Sequence, residues 1–209
     1  MSVIDHLVYA VPELDDAIDR FERATGVRPA YGGAHPGMGT HNALVSFGDS
    51  YLELIAPDPE QPAPDRSRPF GIDDLAGRSR LVTFAVRPAA GESIDGLVAA
   101  ARAVGYDPGD PIGMSRLRPD GVELKWRLTF PTAGTGQGLV PFVIDWGTTE
   151  NPARTAPGGV ELGTIRWTHP DPESVEQARA AIGFTDVVES GATATIEVTL
   201  SGPAGELRL

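Results

Sequence analysis

One pattern recurs three times along the chain and constrains the fold more than any other feature. A run rich in β-branched and aromatic residues leads through a proline into a stretch of helical period, at residues 4–12 (IDHLVYAVP), 81–88 (LVTFAVRP) and 163–170 (GTIRWTHP). Short strand-like runs follow each copy. A period of about 80 residues exceeds the roughly 20–50 residues of solenoid repeats, which favours module duplication. The predicted fold class is therefore α+β, with repeated βαβββ modules forming a cupped mixed sheet around a cleft.

The repeats divide the 209-residue chain into segments. We predict a first βαβββ module at 1–57, a second at 81–147 and a third, C-terminal βαβββ-like unit at 162–209. The proline-rich stretch 58–80 is interpreted as a linker and 148–161 as a connector, within one domain overall. We expect the C-terminal unit to cap the free edge of the sheet, because unpaired edges promote aggregation.

Composition excludes several classes of function. The formal net charge of −12 would repel phosphate backbones and anionic membranes, so we expect neither nucleic acid nor membrane as a partner. The absence of cysteine excludes disulfides, thiolate catalysis and cysteine-ligated metals. No secretory signal is legible at the N-terminus, and a cytoplasmic location is the default expectation.

Two histidines and a glutamate in the first module are the strongest candidates for chemistry. Glu53 lies between leucines on a strand, where a carboxylate is costly unless it is paired or binds a cation. Strand alternation puts Glu53 on the cleft side, and His6 and His41 can point there too. Two imidazoles and a carboxylate are the donor set of a catalytic divalent site. An ion pair between Glu53 and a protonated histidine, or a core role for His6, explains the same pattern, and both alternatives stay open.

A basic cluster in the second module could bind an anionic group of a substrate. Its members fall on two neighbouring predicted strands: Arg116, Arg118, Lys125 and Arg127. A solvated face paired with nearby acids is the competing interpretation. Trp126 alternates with these charges and is expected to be core.

Two further residues are weaker candidates for substrate binding. His35 lies in a glycine-rich bend at 32–39, where the backbone could approach a ligand closely or simply connect two strands. Asp145 ends the strand that corresponds in order to the one carrying Glu53, and it could be a second-module acid or a turn residue.

Residues 4–12, 35–42 and 51–57 together resemble the glyoxalase-like domain family of the vicinal oxygen chelate superfamily. Residues 114–116, 119–121, 126–128 and 141–146 look like the second-module signatures of that family. The resemblance runs from about residue 3 to 147. It implies paired βαβββ modules around a cupped sheet.

The resemblance also implies a site. Enzymes of the superfamily hold a divalent ion, such as Zn, Mn, Fe or Ni, with a histidine on the first strand of a module and a carboxylate on the last; His6 and Glu53 stand at those positions. The second module offers no matching histidine and only Asp145 as an acid. Half of the set is thus missing, and either His41 supplies a third ligand or there is no metal.

Two functions follow as expectations. The first is a divalent-metal-dependent lyase, isomerase or dioxygenase acting on a small oxygenated substrate, with Glu53 as ligand or catalytic base, Arg116 or Arg127 holding an anionic group, and His35 and Asp145 lining the site. The second is a metal-free small-molecule binding protein of the bleomycin-resistance type. Use of the fold for protein interaction alone is a third reading. Many members dimerise to complete their clefts, so a homodimer is left open.

Overall fold

The structure is a computed structural model that describes residues 1–131 and 135–209. Its elements follow three βαβββ orders in succession. The first is β1 (Val3–Ala10), α1 (Leu14–Thr25), β2 (Ala30–His35), β3 (Thr40–Ser46) and β4 (Tyr51–Pro57). The second is β5 (Arg80–Arg87), α2 (Ile94–Ala103), β6 (Ile112–Leu117), β7 (Glu123–Leu128) and β8 (Phe142–Asp145). The third is β9 (Glu161–His169), α3 (Pro172–Ala181), β10 (Glu189–Ser190), β11 (Thr195–Gly202) and β12 (Gly205–Arg208). The predicted α+β class of repeated modules is confirmed.

The first two modules share one eight-stranded mixed sheet in the order β2-β3-β4-β1-β5-β8-β7-β6. Strand β1 is parallel to β4 and antiparallel to β5, so the two modules join along their first strands. Because both first strands are central and buried, they read as apolar runs with few polar residues. His6 is one of those few, and it therefore lies near the middle of the whole sheet.

The sheet curls until its two edge strands approach one another. Arg116 on β6 donates a hydrogen bond from Nη1 to the backbone oxygen of Gly32 on β2. At Gly33 the backbone has φ of 132°, and a Cβ there would clash with the backbone oxygen of Leu117. A side chain at Gly33 would therefore keep the edges apart, so this glycine permits the closure that turns the sheet into a cup.

The convex face of the sheet carries the main apolar core. Helix α1 turns its stripe of Leu14, Ile18 and Phe21 inward and ends at Gly26, whose φ of 79° is the left-handed conformation of a helix C-cap. Helix α2 begins at Ser93, whose hydroxyl accepts a hydrogen bond from the Gly96 amide. Burial of these faces leaves the concave side free for a site.

The C-terminal unit forms its own four-stranded sheet, in the order β10-β9-β11-β12. The expectation that it pairs with the free edge of the large sheet is wrong, since it packs against α1 and β5 instead. The buried guanidinium of Arg179 lies 4.4 Å from the Trp167 ring centroid and also lies over the ring of Phe84 on β5. These cation–π contacts connect the C-terminal unit to the core of the large sheet.

In the part of the chain that the structure describes, no helix is both long and apolar enough to cross a membrane.

Candidate functional site

A cavity opens on the concave face between the two modules. The space between its side chains, together with the open mouth, has a volume of about 560 Å³. Polar side chains of the first module form one wall and apolar side chains of the second module form most of the other. This is the usual composition of a small-molecule site, in which a few polar groups fix the orientation of a largely apolar contact surface.

Glu53 is the central polar group of the cavity. Its side chain points into the cup from β4, as alternation predicted, and it is 7% exposed. Oε1 accepts a 2.6 Å hydrogen bond from Asn42 Nδ2. Oε2 lies 3.8 Å from His6 Nε2 and accepts no hydrogen bond from any residue in 1–131 or 135–209. One oxygen of the carboxylate is thus anchored and the other faces the cavity.

His35 lies on the other side of Glu53, with Nε2 at 3.8 Å from Oε1. Its Nδ1 contacts Thr40 Oγ1 at 3.0 Å, and its Nε2 contacts the Asn42 amide nitrogen at 3.2 Å. Because Asn42 Nδ2 can only donate, Nε2 is the acceptor and the ring proton is on Nδ1. Burial lowers the pKa of His35 to about 4, against the attraction of Glu53. The ring is therefore neutral at physiological pH.

The position of His35 differs from the predicted bend, because residues 32–35 belong to β2. A register shift between Tyr31 and Gly33 lets the glycines continue the strand. Both ring nitrogens are engaged by neighbouring side chains, so His35 supports Asn42 and Glu53. Its predicted contact with substrate stays a prediction.

His6 completes the polar wall. Its ring is stacked on Tyr51, with centroids 4.6 Å apart, and Phe142 meets it edge-on at 5.5 Å. Nδ1 donates a 2.8 Å hydrogen bond to Asp5, which leaves Nε2 directed towards Glu53. The predicted residues His6 and His35 thus lie on either side of the Glu53 carboxylate.

Arg116 supplies the cation of the cup. It is 4% exposed and lines the cavity from β6. Burial lowers its pKa, which the nearby Tyr51 and Glu53 oppose, and an arginine lowered from so high a value stays charged. The second nitrogen of its guanidinium and the buried Oδ1 of Asn42 both lie beside Gly32. A carboxylate or a developing oxyanion in the cup would meet a positive charge here.

Three predicted site residues point away from the cavity. The pairing of Leu44 with Glu53 places even-numbered residues of β3 in the cup, so the prediction that His41 faces it is wrong. The nearest acidic group of His41 is Asp58, 4.0 Å from its Nδ1. Arg127 lies on the outer face of β7 in a bidentate ion pair with Asp95, at 2.6 and 2.8 Å. Asp145 is its cross-strand neighbour and accepts a hydrogen bond from the Gly147 amide.

The apolar wall was missed by the sequence analysis. Trp126, expected to be core, lines the cup and meets His35 edge-on with centroids 6.4 Å apart. The wall continues with residues that share an inward direction on the second module: Met114, Leu128, Phe130, Phe142, Ile144 and Trp146. The available signal was alternation in β7, whose opposite face is charged and exposed.

The donor set does not fit a divalent ion held by several protein ligands. Of the predicted ligands, His6 and Glu53 approach one another and His41 lies on the opposite face. Across residues 1–131 and 135–209, no three His, Cys, Asp or Glu side chains are grouped as a metal site. The strand of the second module that corresponds to β4 contributes Phe142 and Ile144 to the cup. Catalytic sites of this kind usually hold the ion with three protein ligands.

Comparison with known proteins agrees with the fold and the cup. The glyoxalase-like domain family matches residues 4–183. The chain belongs to this family. No curated protein matches the sequence.

Solved structures similar to this chain share little sequence with it. A hypothetical protein from Staphylococcus aureus has 16% identity and a TM-score of 0.69, covering 100% of this chain and 85% of that one. A methylmalonyl-CoA epimerase in complex with methylmalonyl-CoA and NH4+ has 22% identity and a TM-score of 0.48, covering 73% and 99%. The epimerase from Mycobacterium tuberculosis has 17% identity and a TM-score of 0.41, covering 68% and 84%. At such identities the S. aureus protein shows a similar fold and says nothing about a reaction.

Proposed function

We propose that the cup binds a small molecule with an apolar body and an anionic or carbonyl oxygen, and that Glu53 removes a proton from it. The reaction class is a proton transfer of the isomerase or lyase type. The observation that carries the proposal is the buried Glu53 carboxylate, anchored through one oxygen by Asn42 and open to the cavity through the other.

The step balances without a redox partner. The C–H bond next to a carbonyl breaks, its proton passes to Glu53 Oε2, and its electron pair moves onto the carbonyl oxygen as an enolate. Arg116 stabilises the negative charge that develops, because its guanidinium is already held in the cup by Gly32. Return of the proton to a different atom or face of the enolate gives the isomer, and departure of a neighbouring group gives the lyase product.

Burial supports this role for Glu53. Glu53 is 7% exposed, Asn42 fixes one of its oxygens, and the other is directed into the cavity, so a bound molecule would meet a positioned proton acceptor. The side chains opposite Glu53 are largely aromatic and apolar, which suits an apolar substrate body. Such positioned bases contribute about 10²–10⁴-fold to reaction rates.

Hydrogen exchange in D2O tests the proposal on small 2-oxo acids, beginning with phenylpyruvate, which combines a carboxylate, a carbonyl with acidic C–H bonds and an aromatic body. Binding is followed by quenching of Trp126 and Trp146, which line the cup. We expect Glu53→Gln to bind within a few-fold of the wild type and to lose about 10²–10⁴-fold of the enzyme-dependent exchange. Glu92→Gln, on the exposed surface, is the matched control and should keep both. Full exchange in Glu53→Gln would contradict the assignment.

A metal-free binding protein is the second candidate function, and the extent of the apolar wall favours it. In that case wild type and Glu53→Gln bind the same ligands and neither accelerates exchange. The dioxygenase reading requires a redox-active ion, for which the cup offers a histidine and a carboxylate. Elemental analysis after purification without chelator or nickel resin decides this point: near-stoichiometric metal in the wild type, lost in His6→Ala, would restore the metal-dependent reading.

A further inference from the structure

Asp5 is a fully buried carboxylate that lies just behind the cup. Its two oxygens receive hydrogen bonds from four side chains on different elements. The distances are 2.8 Å to His6 Nδ1, 2.6 Å to Asn151 Nδ2, 3.2 Å to Arg87 Nη1, and 3.3 and 3.2 Å to Trp146 Nε1. A buried carboxylate is costly unless it is paired and hydrogen-bonded, and these four side chains supply that compensation and fix its position.

The charge of Asp5 is kept by its surroundings. Burial alone would raise its pKa, but the hydrogen bonds from His6 and Trp146 and the positive charge of Arg87 outweigh that effect and lower it. Asp5 is therefore a carboxylate at neutral pH and can only accept hydrogen bonds. Its neighbour His6 must present a proton on Nδ1.

The proton on Nδ1 determines the hydrogen-bonding role of the other ring nitrogen, Nε2. With the proton on Nδ1, the Nε2 of a neutral His6 is a proton acceptor. Tyr51 and Phe142 hold the plane of the ring, and Nε2 faces Glu53 Oε2 at 3.8 Å. Catalytic contacts are often long before a ligand closes the site, and an approach of about 1 Å would form a hydrogen bond.

We propose that Asp5 is a positioning residue that holds His6 in its Nδ1–H form, so that His6 Nε2 takes over the proton that Glu53 removes. The inference rests on the proposed function in that it assigns the base to Glu53. The proton passes from the substrate carbon to Glu53 Oε2 and then to His6 Nε2, giving an imidazolium whose positive charge Asp5 stabilises. In D2O the imidazolium exchanges its proton with solvent, and a proton or deuteron then returns through Glu53 to the enolate, so no oxidant or reductant is consumed.

The test is the ring tautomer of His6 in the ligand-free protein. The chain has four histidines, so 15N-histidine labelling gives four ring systems in two-bond 1H–15N spectra, and His6→Gln assigns the one that matters. At pH 8 we expect the His6 proton on Nδ1 in the wild type and a mixture of tautomers in Asp5→Asn. His35, which donates from Nδ1 to Thr40, is the internal reference and should not change.

Asn151→Ala is the matched control. It removes another donor from the same carboxylate and leaves the contact between Asp5 and His6. We expect it to lower stability without moving the His6 tautomer, whereas a purely structural role for Asp5 would make both variants alike. A wild-type His6 protonated on Nε2 would overturn the inference without any variant, which covers the case that Asp5→Asn does not fold.

Exchange of phenylpyruvate separates this inference from the proposed function. If Glu53 is the base, Asp5→Asn should lower the exchange rate about 10²-fold with unchanged binding. Exchange unaffected in Glu53→Gln contradicts the proposed function and leaves the tautomer result standing. If Asp5→Asn loses the Nδ1–H tautomer of His6 but keeps the full exchange rate, proton transfer to His6 is contradicted. Glu53 then remains the proposed base.

Discussion

The two walls of the cup come from equivalent modules and differ in chemistry. The first-module wall carries a continuous polar network that includes His35, Asn42 and Glu53. The second-module wall carries Trp126, Phe142 and their apolar neighbours, with Arg116 as its one cation within the described lining. A duplicated fold thus places one polar wall opposite one apolar wall. An ion shared between the two modules would need donors from both, and the second-module side chains that line the cup are apolar except for Arg116 within the described residues.

The largest expected effect comes from breaking the apolar wall. Phe142 is 2% exposed and its ring is stacked on Phe70 with centroids 5.2 Å apart. We expect Phe142→Ala to lower the free energy of unfolding by about 3–5 kcal/mol, since a cavity replaces a buried ring. Urea denaturation at pH 7.5 measures it. Val187→Ala, at a 74% exposed position, should change little, and a loss below about 1 kcal/mol in Phe142→Ala would show that the wall is free to collapse.

Acid distinguishes the polar wall from the apolar one. The pKa of His35 is about 4 in the folded protein, lowered from 6.5 chiefly by burial. His35 therefore becomes protonated below about pH 6.5 in the unfolded chain, but only near pH 4 in the folded protein. Stability from this group is complete above pH 6.5 and is lost as pH falls towards 4, by about 3 kcal/mol at most.

The measurement is the pH dependence of urea unfolding between pH 7.5 and 4.5. We expect His35→Gln to flatten the decline relative to the wild type, even though the substitution itself disturbs the contact with Asn42. Phe142→Leu leaves His35 and its hydrogen bonds in place and should lower stability by a similar amount at each pH. Parallel pH profiles for wild type and His35→Gln would mean that His35 is protonated in the folded cup.

The sequence was sufficient to predict the module order and to select three polar residues that lie together in the cup, His6, His35 and Glu53. Glu53 and His6 were found because a polar side chain in an apolar strand is costly, and that cost is visible without coordinates. His41 was placed on the wrong face because alternation within one strand says nothing about the neighbouring strand. The connection 47–50 pairs Ser46 with Tyr51, which puts even-numbered residues of β3 opposite odd-numbered residues of β4.

The second-module wall shows a different limit. The sequence left two interpretations open for the charges on β7, a substrate-binding cluster and a solvated face paired with nearby acids. The outer face of β7 is exposed, so the charges of Lys125 and Arg127 face solvent and Trp126 faces the cup. Curling of the sheet decides which face is concave, and it brings together residues far apart in sequence, such as Arg116 and Gly32, which are 84 residues apart.

Arg116 should have an intermediate effect, because it belongs to both the seam and the cup. Arg116→Met keeps the length of the side chain and removes the charge and the hydrogen bond to Gly32. We expect a loss of about 1.5–3 kcal/mol in the free energy of unfolding, the usual range for a hydrogen bond to a charged group. We also expect affinity for small carboxylates to fall about 10–100-fold, the equivalent of one charge-assisted contact, measured by quenching of cup tryptophans. Unchanged carboxylate affinity would assign Arg116 to the seam alone.

Arg127→Met gives the smallest effect and makes that result specific. The same substitution, eleven residues along the chain, removes a charge from the outer face, where Arg127 pairs with Asp95 in full contact with solvent. Exposed pairs contribute little, because water screens the attraction and both side chains lose rotamer freedom. We therefore expect no resolvable change in unfolding or in carboxylate binding. If Arg127→Met weakened carboxylate binding as much as Arg116→Met, recognition would depend on the overall charge of the second module. That result would contradict the assignment of the cup as the binding site.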